Sequence, residues 1–245
     1  MDFERFRHEI FSNGITIIND VFSEIESDEI LLKIASADDA KLTFRRSAGL
    51  FAIRQFLKEI PEVATSIFTQ KMLILIENIF GNGYFVTKSI YFDKPEQSNW
   101  FVAYHQDLTI SVKEKIDTQG FGPWTVKQNQ FAVQPPIEIL EDNFTIRIHL
   151  DDTTFENGAL KVIENSHCKG IYRAETIDWN LEKETICEVK KGGIMIMRPL
   201  LLHASDRTTN DNKRRVIHIE FGKQELPNGL QWSEKMEFTK GQIPV

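Results

Sequence analysis

A chain of 245 residues, 41% hydrophobic and 27% charged, has the composition of an ordinary soluble globular protein and enough length for one large core. Its formal net charge of −7 argues against a general nucleic-acid binder, which would carry a basic excess. Two cysteines, Cys168 and Cys187, are too few for a disulfide framework; with no signal peptide in MDFERFRHEIF and no apolar run of bilayer length, the sequence reads as cytoplasmic and without a membrane partner.

Ser12-Asn13-Gly14 signals a turn, and Ile15–Ile18 after it predicts a short strand. Ser27, with Asp28 and Glu29, is placed to cap a helix through Ile30, Leu31, Ile34 and Ala35. The stretch 41–57, with Arg45, Arg46, Gly49 and Arg54 among apolar residues, carries no assignable pattern. Pro61 suits the first turn of a long helix to about Phe80, striped by Val63, Ile67, Leu73, Ile76 and Ile79 and ended by Gly81-Asn82-Gly83. Strands are then predicted over 84–92, 101–112, 144–151, 159–164, 194–198 and 216–221. Helices first and strands after predict helices packed outside a mainly β domain. We read one domain over 1–245, with a helical part at about 20–82, a β core at about 83–222 and a lid-like insert at about 113–140, a long stretch without clear period.

The stretch WFVAYHQDLTISV carries His105 and Asp107 two residues apart, which in an extended strand places both on one face. A third ligand candidate, His203, lies in a later segment that also holds Ser205 and the pair Arg214-Arg215. Two histidines and one carboxylate on one face of a divalent metal leave positions open for substrate and dioxygen. Arginine grips a carboxylate bidentately, so an organic-acid co-substrate would suit Arg214, with Ser205 as a second donor. Alternation separates the arginines: Arg214, Val216, His218 and Glu220 share one face, while Arg215, Ile217, Ile219 and Phe221 share an apolar one. The same parity groups Thr145, Arg147 and His149 against Ile146, Ile148 and Leu150, the pattern of a barrel with an aqueous mouth.

YHQDLTISV, then ENGALKVIENSH, then GGIMIM followed by His203 and Arg214, together resemble the phytanoyl-CoA dioxygenase family; FSNGITIINDVFS is similar to that family's opening. The resemblance covers about residues 11–220, and Ala159, Lys161, Glu164 and Asn165 depart from the family's middle motif NGPLRVIPGSH. It implies a double-stranded β-helix, the cupin-like jelly roll, flanked by helices. It also implies Fe(II) held by His105, Asp107 and His203, and 2-oxoglutarate held by Arg214 with Ser205. Ile90 and Arg147 fall where relatives line the 2-oxoglutarate pocket, Gly158 serves a turn, and His167 is structural.

The implied reaction consumes O2 and 2-oxoglutarate, releases succinate and CO2, and hydroxylates a small-molecule substrate. Asp107 fills the position that a halide would need, which disfavours halogenation. A non-catalytic jelly-roll binding protein and a zinc-dependent isomerase or hydrolase are the alternatives, and the clamp arginine discriminates against both. Oligomeric state is not legible in the sequence.

Overall fold

The computed structural model describes residues 1–37, 43–47, 50–127 and 130–238. Helix α1 (Phe3–Ser12), not anticipated above, starts where the Asp2 carboxylate accepts the Arg5 N–H at 3.1 Å, and it buries Phe6 and Ile10. Strand β1 (Ile15–Ile18) lies where expected. Helix α2 (Glu24–Ala35) begins earlier than expected because Ser23, not Ser27, caps it in a reciprocal box with Glu26. Ser27 instead turns inward and donates to the Ser23 carbonyl at 2.9 Å. The unassigned stretch contains the hairpin β2 (Phe44–Ser47) and β3 (Leu50–Arg54), followed by α3 (Phe56–Glu59); 41–42 and 48–49 of that stretch lie outside the described residues.

The long helix expected from Pro61 to Phe80 is broken. A 3-10 turn (Pro61–Val63) leads into α4 (Ala64–Ile67), then α5 (Gln70–Phe80) departs at 70°. Thr69 is extended and caps α5 through the Met72 N–H, and the break buries Phe68 against Phe221 and Phe238. Among the described residues no single helix is long and apolar enough to cross a membrane.

Strand β4 (Phe85–Lys94) runs two residues beyond its expected end. The single strand expected over 101–112 is two, β5 (Val102–His105) and β6 (Ile110–Val112), so Asp107 stands in the break between them. The stretch without period holds the hairpin β7 (Trp124–Lys127) and β8 (Gln130–Val133), and then α6 (Ile137–Asp142). Next come β9 (Phe144–His149), β10 (Leu160–Ile163), an unanticipated β11 (Glu184–Cys187), and β12 (Ile194–Met197). His203 opens the short strand β13 (His203–Ser205), and β14 (Arg214–Gly222) and β15 (Met236–Glu237) follow.

The large sheet has the order β1-β12-β9-β14-β4-β3-β2, with β15 also on β4; the small sheet has the order β11-β10-β13-β5, and β6-β8-β7 form a third. Pairing is antiparallel throughout. The steps β4 to β5, β9 to β10, β11 to β12, β12 to β13 and β13 to β14 each cross between the large and small sheets, which is the wiring of a jelly roll. The expected fold class is therefore observed.

Alternation assigns the faces. Ile146, Ile148, Ile217, Ile219 and Phe221 point away from the small sheet and pack on the helices with Ile30, Leu75 and Ile79. Phe144 is stacked between Phe80 at 3.6 Å and Phe221 at 4.7 Å, tying α5 to the sheet. The opposite face looks into the space between the sheets. There an apolar end is filled by Leu160, Val162, Met195, Met197 and Leu201, and polar residues occupy the rest. Leu230 and Trp232, beyond β14, are buried against β6 and β8.

One edge gap of β4 is closed by a side chain. β3 pairs with β4 up to Ile90 and β15 pairs from Val86, leaving Ser89 between them. Glu234 accepts the Ser89 N–H at 2.9 Å and the Ser89 hydroxyl at 2.5 Å. Burial raises this carboxyl to about 7, outweighing the Ser89 hydrogen bonds. The folded state thus holds the proton more tightly than the unfolded chain. The resulting stabilisation is full below about 4.5, the unfolded value, and is lost as pH rises through about 7. Between pH 4.5 and 7.5 the unfolding free energy of the wild type should fall by about 3 kcal/mol relative to Glu234→Gln, and a constant difference would contradict this. Phe144→Ala should cost about 3–5 kcal/mol in urea unfolding, since it removes the middle ring of the stack.

Candidate metal centre

β13 lies beside β5 with His203 directly opposite His105, so the two rings sit 4.3 Å apart. Each imidazole Nδ1 lies against a backbone carbonyl, His105 on Ala103 at 2.9 Å and His203 on Leu201 at 2.8 Å. A carbonyl only accepts, so both Nδ1 atoms carry the proton and both Nε2 lone pairs stay free to bind a metal.

Asp107 does not reach the histidines by strand alternation, as its spacing suggested. The chain leaves β5 at Gln106, whose amide donates to the carbonyls of Leu200 at 2.6 Å and Gly170 at 2.9 Å and accepts the Tyr172 N–H at 2.8 Å. The Asp107 N–H then bonds to the Pro199 carbonyl at 2.9 Å. This stapled bend swings the carboxylate over the two rings, with Oδ1 4.0 Å from His105 Nε2 and Oδ2 4.0 Å from His203 Nε2. The three ligand atoms lie within 4.8 Å of one another, a cluster that could hold a divalent metal. Burial lowers His203 to about 4, so its imidazole is neutral at physiological pH. Burial acts to raise Asp107, but His203 first, then His218 and Lys88, outweigh it and hold the carboxyl at about 2.

Asp107, His218 and Glu220 also lie within 4.8 Å of one another. Here the ligand atoms are already engaged. Glu220 pairs with Lys88 at 2.6 Å and accepts His218 Nε2–H at 3.1 Å, while His218 Nδ1 accepts Arg147 Nη1–H at 3.1 Å. The second group is a hydrogen-bonded wall beside the first.

The remaining expected residues fall on the same inner face. Arg214 is buried, and its Nη1 donates to the Gly158 carbonyl, which also accepts the Ser205 hydroxyl at 2.9 Å. Gly158 sits at φ +82°, and a Cβ there would meet the Asp206 carbonyl and Lys94 Nζ at 2.6 Å, so only glycine fits this turn. Arg147 and Ile90 flank His218 in register on β9 and β4, four residues along from Arg214. Arg215 points the other way and grips Asp151 with two hydrogen bonds, at 2.6 and 2.8 Å. His167 faces the Phe11 carbonyl at 3.2 Å, a structural contact.

Burial lowers Arg147 to about 10 and Arg214 to about 9, the latter also through repulsion by Arg147, yet both stay charged at neutral pH. The buried Arg147 Nε, Arg214 Nε and His149 Nε2 lack hydrogen-bond partners. Unpaired donors on two buried cations are costly in a protein alone and fit a ligand that brings carboxylate oxygens. Sequence reasoning missed Lys88 and Lys94 of β4. That they share a strand face with Ile90 and Phe92 was readable, but the pairing of β4 with β14 was not.

A search of curated protein sequences finds no match. Among solved structures, EctD from S. alaskensis with 2-oxoglutarate and 5-hydroxyectoine superposes with a TM-score of 0.68 at 16% identity, over 89% of this chain and 75% of that one. EvdO2 from Micromonospora carbonacea var. aurantiaca, complexed with 2-oxoglutarate, gives 0.64 at 16% identity over 91% and 93%. The α-ketoglutarate-dependent epimerase SnoN from nogalamycin biosynthesis gives 0.65 at 14% identity over 99% and 96%. These likenesses concern the fold. The sequence itself matches the profile of the phytanoyl-CoA dioxygenase (PhyH) family over residues 11–216, so this chain belongs to that family.

Proposed function

We propose that this chain is an Fe(II)- and 2-oxoglutarate-dependent oxygenase, a single domain over 1–245, that hydroxylates a small organic substrate. The observation that carries the reading is the convergence of His105, Asp107 and His203 on the same interior as a buried Arg214 with an unpaired Nε. Family membership supports it, as do fold neighbours that bind 2-oxoglutarate.

His105, Asp107 and His203 would hold the iron, their geometry set by the two Nδ1–carbonyl contacts and the Gln106 staple. Arg214 would grip the far carboxylate of 2-oxoglutarate, with Ser205 beside it. Arg147 would neutralise charge nearer the metal, and Ile90 would wall the pocket. Bound together, ferrous iron, 2-oxoglutarate and dioxygen supply an oxidant strong enough to remove hydrogen from a C–H bond, with succinate and CO2 released. The protein's part is to orient these groups and to exclude water by the buried β9 and β14 faces. Hydroxylation is our reading of the outcome, since Asp107 completes the ligand set; the fold neighbours SnoN and SnoK, an epimerase and a carbocyclase, mark what else this architecture supports. The hairpin of β7 and β8 would act as the substrate wall or lid, and the acidic, cysteine-poor composition supports a cytoplasmic enzyme with no nucleic-acid or membrane partner.

Calorimetric titration of the metal-free protein with Mn(II), a redox-stable stand-in for Fe(II), should show one site, and Asp107→Ala should lose it while still folding. With metal present, Arg214→Ala should weaken 2-oxoglutarate by at least about thirtyfold, equivalent to about 2 kcal/mol. Metal binding unchanged in Asp107→Ala, or 2-oxoglutarate affinity unchanged in Arg214→Ala, would refute the assignment.

A further inference from the structure

Lys94 ends strand β4 and is fully buried on the inner face of the large sheet. It stands directly opposite Arg214 in the ladder between β4 and β14, so two basic side chains share one end of the interior. Both close on Gly158. Arg214 Nη1 and the Ser205 hydroxyl donate to the Gly158 carbonyl, and the Lys94 ammonium lies only 2.6 Å from where a Cβ on Gly158 would stand. The glycine therefore makes room for the ammonium as well as serving the turn.

Among the described residues the Lys94 charge has no carboxylate in ion-pair contact. Its hydrogen bond there goes to the Asp206 backbone carbonyl, while the Asp206 carboxylate pairs with Lys161 at 2.8 Å. An ammonium carries three N–H groups, so two stay uncommitted. Arg214 keeps a buried Nε without a partner and feels repulsion from Arg147. Two buried cations facing one another are costly unless an anion joins them, and lysine is the one of the two that can shed its proton. Burial, then repulsion by Arg214, lowers Lys94 to about 7 against the attraction of Asp206. One strand beyond, on β9, His149 is held neutral by burial and by Arg147 and Arg214, so it does not titrate in that range.

We propose that Lys94 is a second cationic donor to the far carboxylate of the 2-oxo acid, so that Lys94 and Arg214 grip it from adjacent strands and select a dicarboxylic over a monocarboxylic co-substrate. This rests on the oxygenase reading, which gives that carboxylate to Arg214 and Ser205. A carboxylate placed against Lys94 favours its charged form, so binding moves one proton from solvent onto Nζ where the free protein holds the amine neutral, and no other bond changes. The sign follows: the contribution of Lys94 to binding is full below about 7 and declines as pH rises through that value.

The test is direct or competitive calorimetric titration of the full chain loaded with Mn(II). Two ligands are compared, 2-oxoglutarate and 2-oxopentanoate, which share the 2-oxo acid end and differ in the far carboxylate. In the wild type the preference for 2-oxoglutarate should fall about tenfold between pH 6 and pH 8. Lys94→Met keeps the length of the side chain and removes its charge. At pH 6 it should weaken 2-oxoglutarate about tenfold or more, leave 2-oxopentanoate within about twofold, and abolish the pH dependence. Should neither this variant nor Lys94→Gln fold, the wild-type pH profile decides alone. Equal losses for both ligands would mark a structural role and overturn the proposal, as would an unchanged 2-oxoglutarate affinity or a wild-type preference flat with pH. Arg214→Ala on the same samples separates the two ideas: 2-oxoglutarate that depends on Arg214 and ignores Lys94 refutes this inference alone, and 2-oxoglutarate that does not bind at all refutes the oxygenase reading and this inference with it.

Discussion

The pairing of β13 with β5 is the constraint on which the site depends. It sets His203 directly against His105, two imidazoles that would repel if both were charged and that have no apolar reason to face one another at 4.3 Å. Two carbonyls, from residues two positions earlier in each chain segment, take the Nδ1 protons and leave the Nε2 lone pairs to converge. The third member is delivered by a bend. Gln106 satisfies three backbone groups where the strand stops, so the break is held as firmly as the ladder it interrupts, and Asp107 is carried over the rings. Two sheets crossed repeatedly by the chain make this possible, since β5 and β13 come from distant parts of the sequence yet pair side by side.

From that point the inner face of the large sheet reads as a graded electrostatic surface. Arg214 and Arg147 are buried cations with unpaired Nε atoms, and Glu220, His218 and Lys88 form a closed hydrogen-bonded chain beside Asp107. Buried charge on this scale is destabilising in a protein alone. Here it is maintained by an outer face that carries the stability: Ile146, Ile148, Ile217, Ile219 and the Phe80–Phe144–Phe221 stack against the helices. One strand such as β14 serves both purposes because its side chains alternate, which is why Arg214 and Arg215, adjacent in sequence, have unrelated roles.

That alternation was legible in the sequence, and it assigned Arg214, Arg147 and His149 to the interior and the isoleucines to the helical side. The three motifs that resemble the PhyH family implied His105, Asp107 and His203 as one ligand set, and Gly158 as a turn residue, before any geometry was known. The helix break at Phe68-Thr69 was not legible, because an apolar stripe continues through it and only burial of Phe68 between Phe221 and Phe238 shows why the chain turns. The route of Asp107 was misread for a similar reason: a spacing of two fits a strand, and the partners of Gln106 lie 64 and 94 residues away. Lys88 escaped notice because its meaning depends on Glu220, 132 residues on, and strand register between such distant segments is fixed by the whole sheet.

The central claim is that one interior joins a metal held by His105, Asp107 and His203 to a 2-oxo acid held by Arg214. Anaerobic addition of Fe(II) and then 2-oxoglutarate, followed in the visible spectrum, tests it most directly. The account predicts a weak charge-transfer band at roughly 500 nm, the signature of a 2-oxo acid chelated to ferrous iron, that saturates at one equivalent of each component. No band, with zinc bound tightly in place of iron, would contradict the account and favour a hydrolytic or isomerising enzyme on the same scaffold.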